Sequence, residues 1–157
     1  MSIKQDAGST RFQEAKLFRA ATDASADKKG VHIYQLKDPS KCALLEADLD
    51  PSSRDRIMYY SKAWTDSMLG KPPYYQEADA LITGLTVVKP YGEASPLTTL
   101  GITDHAPLQW IKTSAKGPVT AWRIDNLNGM DYAVAHRPGV KHDTPDAMSR
   151  YPFLGPK

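Results

Sequence analysis

Hydrophobic positions along the chain change their spacing in a way that separates strands from helices. "AKLFRAAT" (15–22) carries the apolar mass of a strand in Leu17 and Phe18 and ends at Asp23. After small and charged residues, Gly30 opens "VHIYQL", where Val31, Ile33 and Tyr34 suit a pleated surface. Pro51, Ser52 and Ser53 mark a turn before "RIMYYSKAW", which reads as a third strand. Short connections between these three predict antiparallel pairing. Between the second and third, the apolar patch "CALLEA" is too short to be assigned to helix or strand.

The period changes after Pro72 and Pro73. Ala78, Leu81, Ile82, Leu85 and Val88 then form one apolar stripe of a helix, which Pro90 is expected to end. "SPLTTLGITDH" returns to strand character and finishes on Asp104. "APLQWIKTS" and "GPVTAWRIDNLN" read as two further helices, the second opened by Pro118. Trp110 and Trp122 fall among apolar neighbours at helical spacing and are expected in the core rather than as stacking platforms. "MDYAVAHRPG" is a last strand, and "VKHDTPDAMSRYP" a loop leading to a short helix around Asp146. This order predicts an α/β architecture, a mixed sheet flanked by helices.

Composition narrows the classes. A chain of 157 residues suits one domain with a real core. Lys and Arg (20) barely exceed Asp and Glu (18), so any polyanion must be held by local placement of basic side chains. The single cysteine, Cys42, rules out an intrachain disulfide and fits an intracellular compartment, cytoplasmic or nuclear. It is expected to pack as a small apolar residue. No apolar run has the length of a membrane span, and the polar start lacks a signal core, so no membrane partner is expected. Residues 1–14 are expected to form a flexible leader and 153–157 a tail around a 15–152 domain.

Acids recur at comparable places in this pattern. Asp23 ends the first strand, Asp104 ends the fourth, and Glu77 is expected in the first turn of the long helix, with Asp146 in the closing one. If strands one and four are parallel neighbours, their carboxyl-terminal ends coincide at the edge where α/β sheets collect ligands. Clustered carboxylates repel one another unless a cation neutralises them. Magnesium is suited to oxygen ligands, and two ions about 3.5–4 Å apart stabilise both oxygens of a phosphodiester displacement. The four histidines have no zinc-like spacing. Each acid also has a plain reading: Asp23 as a strand-end turn former, Glu77 as the complement of a helix N-terminus, Asp104 as a bend, Asp146 as an exposed helix acid.

The segments "TDAS" (22–25), "ITDHAPLQW" (102–110), "AHRPG" (135–139) and "DAMSR" (146–150), with the helix "YYQEADALITGL" and the following "VVKPY", resemble in order the ribonuclease H domain of gypsy-type LTR-retrotransposon reverse transcriptases. The likeness runs from about residue 15 to 152. It implies a ribonuclease H-like fold with a five-stranded mixed sheet, strands 1–3 antiparallel and strands 4 and 5 parallel to strand 1. It places the family's metal-binding, catalytic acids on Asp23, Glu77, Asp104 and Asp146. "LLEADLD" imitates the first motif and would nominate Asp48, but only Asp23 has Gly30 and a strand carrying Gln35 behind it. In the helix, Asp79 is the alternative to Glu77; choosing Glu77 keeps Ala80 and Leu85 where the family has apolar residues.

The resemblance implies an endonuclease that hydrolyses the RNA strand of an RNA–DNA hybrid, with Mg2+ as cofactor and Mn2+ as its alternative. The hybrid is the expected partner, together with the polymerase and integrase portions of a parent polyprotein. Arg137, Lys141 and Arg150 are the expected nucleic-acid contacts, with Lys28 and Lys29 as further candidates whose plain reading is solvated surface charge. The chain departs from the pattern in the two lysines of "ADKKG" and in a longer segment at 37–55. The alternative is a domesticated ribonuclease H-like scaffold that binds nucleic acid or a protein without efficient cleavage. Hybrid cleavage in magnesium separates the two.

Overall fold

A computed structural model of the protein describes residues 16–114 and 118–138; the proposed leader, the closing helix with Asp146, and the tail lie outside the described residues. Five strands form one sheet in the order β3-β2-β1-β4-β5: β1 (Arg19–Ala24), β2 (Lys28–Leu36), β3 (Arg54–Ala63), β4 (Thr99–Thr103) and β5 (Tyr132–His136). β1 pairs antiparallel with β2, and β2 with β3. β4 runs parallel to both β1 and β5. The mixed sheet expected from the motif order is therefore the observed one.

Helix α1 (Asp66–Leu69) is a single turn. Helix α2 (Pro73–Ala94) is the principal one, and its apolar stripe packs Ala78, Leu81, Ile82, Leu85 and Val88 against Ala20, Val31 and Ile33 of the sheet. The approach is close at Gly84, where an added Cβ would lie 2.6 Å from Thr22 Cγ2 and 3.3 Å from Val31 Cγ1. Leu108, Ile111, Leu127, Met130 and Tyr132 complete the same core. No helix among the described residues is long and apolar enough to cross a membrane.

Pro90 does not end α2, as its chemistry suggested; it sits inside the helix, which continues to Ala94. Proline inside a helix removes one hydrogen bond and crowds the carbonyl four residues back, at a cost of about 3 kcal/mol, so the turn beyond it persists only where its packing offsets that cost. Here Tyr91 meets Phe18, with ring centroids 5.7 Å apart. "APLQWIKTS" also differs from a continuous helix. It forms a 3-10 turn (Ala106–Trp110) followed by one α-turn, α3 (Ile111–Ser114), before α4 (Pro118–Asp125). Trp110 is 63% exposed, which corrects its expected place in the core. The side chain of Trp122 lies outside the described ones.

The ambiguous segment between β2 and β3 folds as three 3-10 turns, Pro39–Lys41, Leu45–Asp48 and Pro51–Ser53. Asp38 and Asp50 cap the first and third by accepting from the backbone N–H groups of Ser40 and Ser52, each at 3.0 Å. Cys42 is half-buried here, and its carbonyl accepts from Arg19 Nη2 at 3.0 Å.

Candidate metal centre

Asp23 is the fifth residue of β1, and Asp104 follows directly after the last residue of β4. Because these strands are parallel neighbours, both acids arrive at the same sheet edge. Glu77 is the fifth residue of α2, one turn in from Pro73, so it is not the first-turn acid expected from sequence, and α2 has no acid in its first turn. The reading of Glu77 as a helix N-terminal complement loses its geometric basis. Its carboxylate instead joins the other two. One ligand oxygen from each of Asp23, Glu77 and Asp104 lies within 4.8 Å of the others, and all three side chains are half-buried.

Three carboxylates this close suit a hard cation with oxygen ligands. Among the described residues no nitrogen or sulfur donor joins the group. The donor set therefore fits magnesium or manganese better than zinc or copper. Asp146, Lys141 and Arg150 lie outside the described residues.

The rival acids have other employment. Asp79 accepts from Lys29 Nζ at 2.6 Å and pairs with Arg123, whose guanidinium closes on its other oxygen. Burial would push the Asp79 carboxyl up, but the hydrogen bonds from Lys29 and Arg123, with their charges, hold it below the usual carboxylate range. Lys29 also donates to Thr83 Oγ1 at 2.9 Å and lies 5.8 Å from the Trp64 ring centroid, so it is committed within the fold. Lys28, its neighbour, is exposed.

Asp48 is fully buried. Its carboxylate accepts from Arg19 Nη1 at 3.1 Å and from both Arg137 and the Tyr34 hydroxyl, while its carbonyl accepts from Arg54 Nε at 2.7 Å. Burial alone would raise its pKa. Arg137, the Tyr34 hydroxyl and Arg19 together outweigh burial and hold it below the usual carboxylate range. Burial, and then the Asp48 charge, push the Tyr34 phenol up against the opposing pull of Arg137 and Arg54. Arg137 was expected to meet phosphate. It is instead 3% exposed, spent on Asp48 and on the Leu45 carbonyl at 3.1 Å. A guanidinium so enclosed reaches no substrate.

Beside the acids stands a group that sequence reasoning did not single out. Tyr74, one turn before Glu77, packs edge-on against His105, the residue after Asp104, with ring centroids 5.9 Å apart. The His105 N–H donates to Thr103 Oγ1 at 3.1 Å, which shapes the turn that carries Asp104. Burial, then the neighbouring Tyr75, raises the Tyr74 phenol. The spacing of Tyr74 and Glu77 by three residues was the available signal, since it puts both on one helix face.

The sequence comparison shows the family, and the structural comparison shows the fold. The family described as the RNase H-like domain found in reverse transcriptase matches residues 13–127. No curated protein matches the chain. Among solved structures, RNase H1 from the halophilic archaeon Halobacterium salinarum NRC-1 is similar with a TM-score of 0.53 and 14% identity, covering 88% of this chain and 98% of that one. LC11-RNase H1, isolated from compost by a metagenomic approach, was solved in complex with RNA/DNA hybrid. It gives a TM-score of 0.51 and 11% identity, covering 85% of this chain and 92% of its own. The foamy viral protease-reverse transcriptase in complex with dsDNA gives a TM-score of 0.52 and 12% identity over 78% of this chain. The match spans only 24% of that viral chain. At such identities the structural likeness speaks to fold.

Proposed function

The chain belongs to the family of RNase H-like domains found in reverse transcriptase, and on that premise we propose that it is a metal-dependent endonuclease hydrolysing the RNA strand of RNA–DNA hybrids. One observation carries the reading: carboxylates from β1, α2 and β4 meet within 4.8 Å at one sheet edge. Asp23, Glu77 and Asp104 are the proposed ligands of magnesium, with manganese as its substitute. Asp146 is proposed as the fourth on the strength of the "DAMSR" resemblance.

When bound, such ions supply an activated water and neutralise charge on the departing 3′ oxygen. The chain's own part is to hold three acids in register on rigid elements, so that no reorganisation is needed when substrate arrives. Tyr74 and His105 brace the Glu77 and Asp104 segments against each other. Discrimination of RNA from DNA would rest on the 2′-hydroxyls and on hybrid shape. Lys28 remains a candidate phosphate contact, together with Lys141 and Arg150. The retrotransposon origin, with polymerase and integrase portions as partners in a polyprotein, belongs to the same proposal and rests on the motif order.

The test is direct. Purified protein in magnesium is expected to shorten the labelled RNA of a hybrid and to spare double-stranded DNA. Asp104→Asn is expected to abolish cutting with circular dichroism unchanged. A parent protein that binds hybrid without cutting it would return the scaffold reading in place of the nuclease.

A further inference from the structure

The sheet face that carries Asp23 bears an exposed aromatic side chain one strand beyond its neighbour. Asp23 pairs with Gly30 across β1 and β2, and Gly30 pairs with Ser61 across β2 and β3. Directly paired residues share a face, as do residues two apart along a strand. Asp23, Gly30, Ser61, Tyr59 and Lys28 therefore share the face opposite the one on which Thr22 and Val31 meet α2, while the Asp23 carboxylate, near the end of β1, still reaches Glu77 of α2. Tyr59, Ser61 and Lys28 are all exposed, and Tyr59 is 51% exposed.

Tyr59 leans over Gly30, the β2 residue paired with Asp23. Its hydroxyl lies 3.3 Å from where a Cβ on Gly30 would stand. That missing Cβ would itself be about 4.5–5.5 Å from the Asp23 Cβ, the ordinary spacing of an antiparallel pair. Only a glycine at position 30 leaves the phenol room to lie over β2. The buried His32 ring meets the Tyr59 ring edge-on, with centroids 6.4 Å apart, and fixes its inner side. An aromatic ring that is half in water, braced from beneath by His32 and set on the face that carries Asp23 is a preorganised contact surface.

We propose that Tyr59 is an RNA-reading residue: its ring supports a ribose of the RNA strand beside the metal centre, and its hydroxyl hydrogen-bonds that ribose's 2′-hydroxyl, with Ser61 and Lys28 flanking on the same ledge. The inference rests on the nuclease reading above and adds a specific source of discrimination between RNA and DNA. A 2′-hydroxyl both donates and accepts, so a phenol suits it in either direction.

The experiment uses the full chain carrying Asp104→Asn, so that hybrids are bound without being cut, and fluorescence anisotropy of labelled hybrids in magnesium. Single 2′-deoxy substitutions are stepped along the RNA strand. With Tyr59 present, one position is expected to weaken binding up to about tenfold, the value of one neutral hydrogen bond. Adding Tyr59→Phe is expected to weaken the all-RNA hybrid similarly and to erase the extra loss at that position, while duplex DNA binding and the thermal midpoint stay unchanged. Gly30→Ala, which crowds the hydroxyl, is expected to reproduce part of the effect. Equal deoxy penalties at every position with and without the phenol hydroxyl would overturn the assignment while leaving the nuclease intact. A parent protein that neither cuts nor retains hybrid would overturn both readings.

Discussion

Replacing Asp48 by Asn tests how the buried knot works. The substitution keeps shape but removes the charge facing Arg19 and Arg137, both of which are buried. Breaking a buried ion pair from one side leaves an uncompensated charge and costs about 3–5 kcal/mol. Against a total stability of roughly 5–15 kcal/mol, that is a large fraction. For a chain of this size it corresponds to a fall in thermal midpoint of about 6–20 °C.

The sign with pH follows from the depressed Asp48 pKa. The stabilisation is fully present above the ordinary unfolded value of about 3.9 and is lost as pH falls through the lower folded value. Urea melts at neutral pH measure the loss, and a series below about pH 4 should show a steep acid limb in the parent that is shallower in Asp48→Asn. Replacing the triad with apolar residues, Arg19→Met with Asp48→Leu and Arg137→Met, should recover part of the stability, because the unpaired Arg19 and Arg137 charges are gone while the Tyr34 hydroxyl and the Cys42, Leu44 and Leu45 carbonyls lose their partners. A single-variant loss below about 1 kcal/mol, or a triple variant worse than the single one, would refute this account of the knot.

Other consequences can be checked with less effort. Glu77→Gln is expected to abolish hybrid cleavage, whereas Asp79→Asn keeps it and costs about 1–2 kcal/mol by loosening Lys29 and Arg123; loss of cutting on Asp79→Asn alone, in a folded protein, would exchange their roles. Gly84→Ala drives a Cβ into Thr22 and Val31, and a destabilisation of about 1–3 kcal/mol is expected in a denaturant melt.

The parts legible in the sequence were those governed by local rules. Apolar, strand-favouring stretches set off by turn residues marked β1, β2 and β3, and the 3.6 period of Ala78, Leu81, Ile82, Leu85 and Val88 marked α2. The meeting of Asp23 and Asp104 was readable because both stand at the ends of strands that could be parallel neighbours. What escaped was set by distant partners. Nothing near Arg137 announces that its guanidinium belongs to Asp48, 89 residues away in sequence. The continuation of α2 past Pro90 depends on Phe18 waiting beneath Tyr91, and the helix stripe contains no sign of it. Between Glu77 and Asp79, periodicity could not choose. The choice came from which carboxylate Lys29 and Arg123 had already claimed.

The strand order 3-2-1-4-5 also has a consequence for synthesis on the ribosome. The first three strands form a continuous hairpin ribbon that can pair as soon as it emerges, but β1 keeps one rim open until β4, delivered more than 70 residues later by way of α2, slots beside it. Asp104 rides in on that later arrival. A growing chain can thus acquire most of its sheet while still lacking a complete set of acids, so the metal centre cannot assemble before β4 has been made.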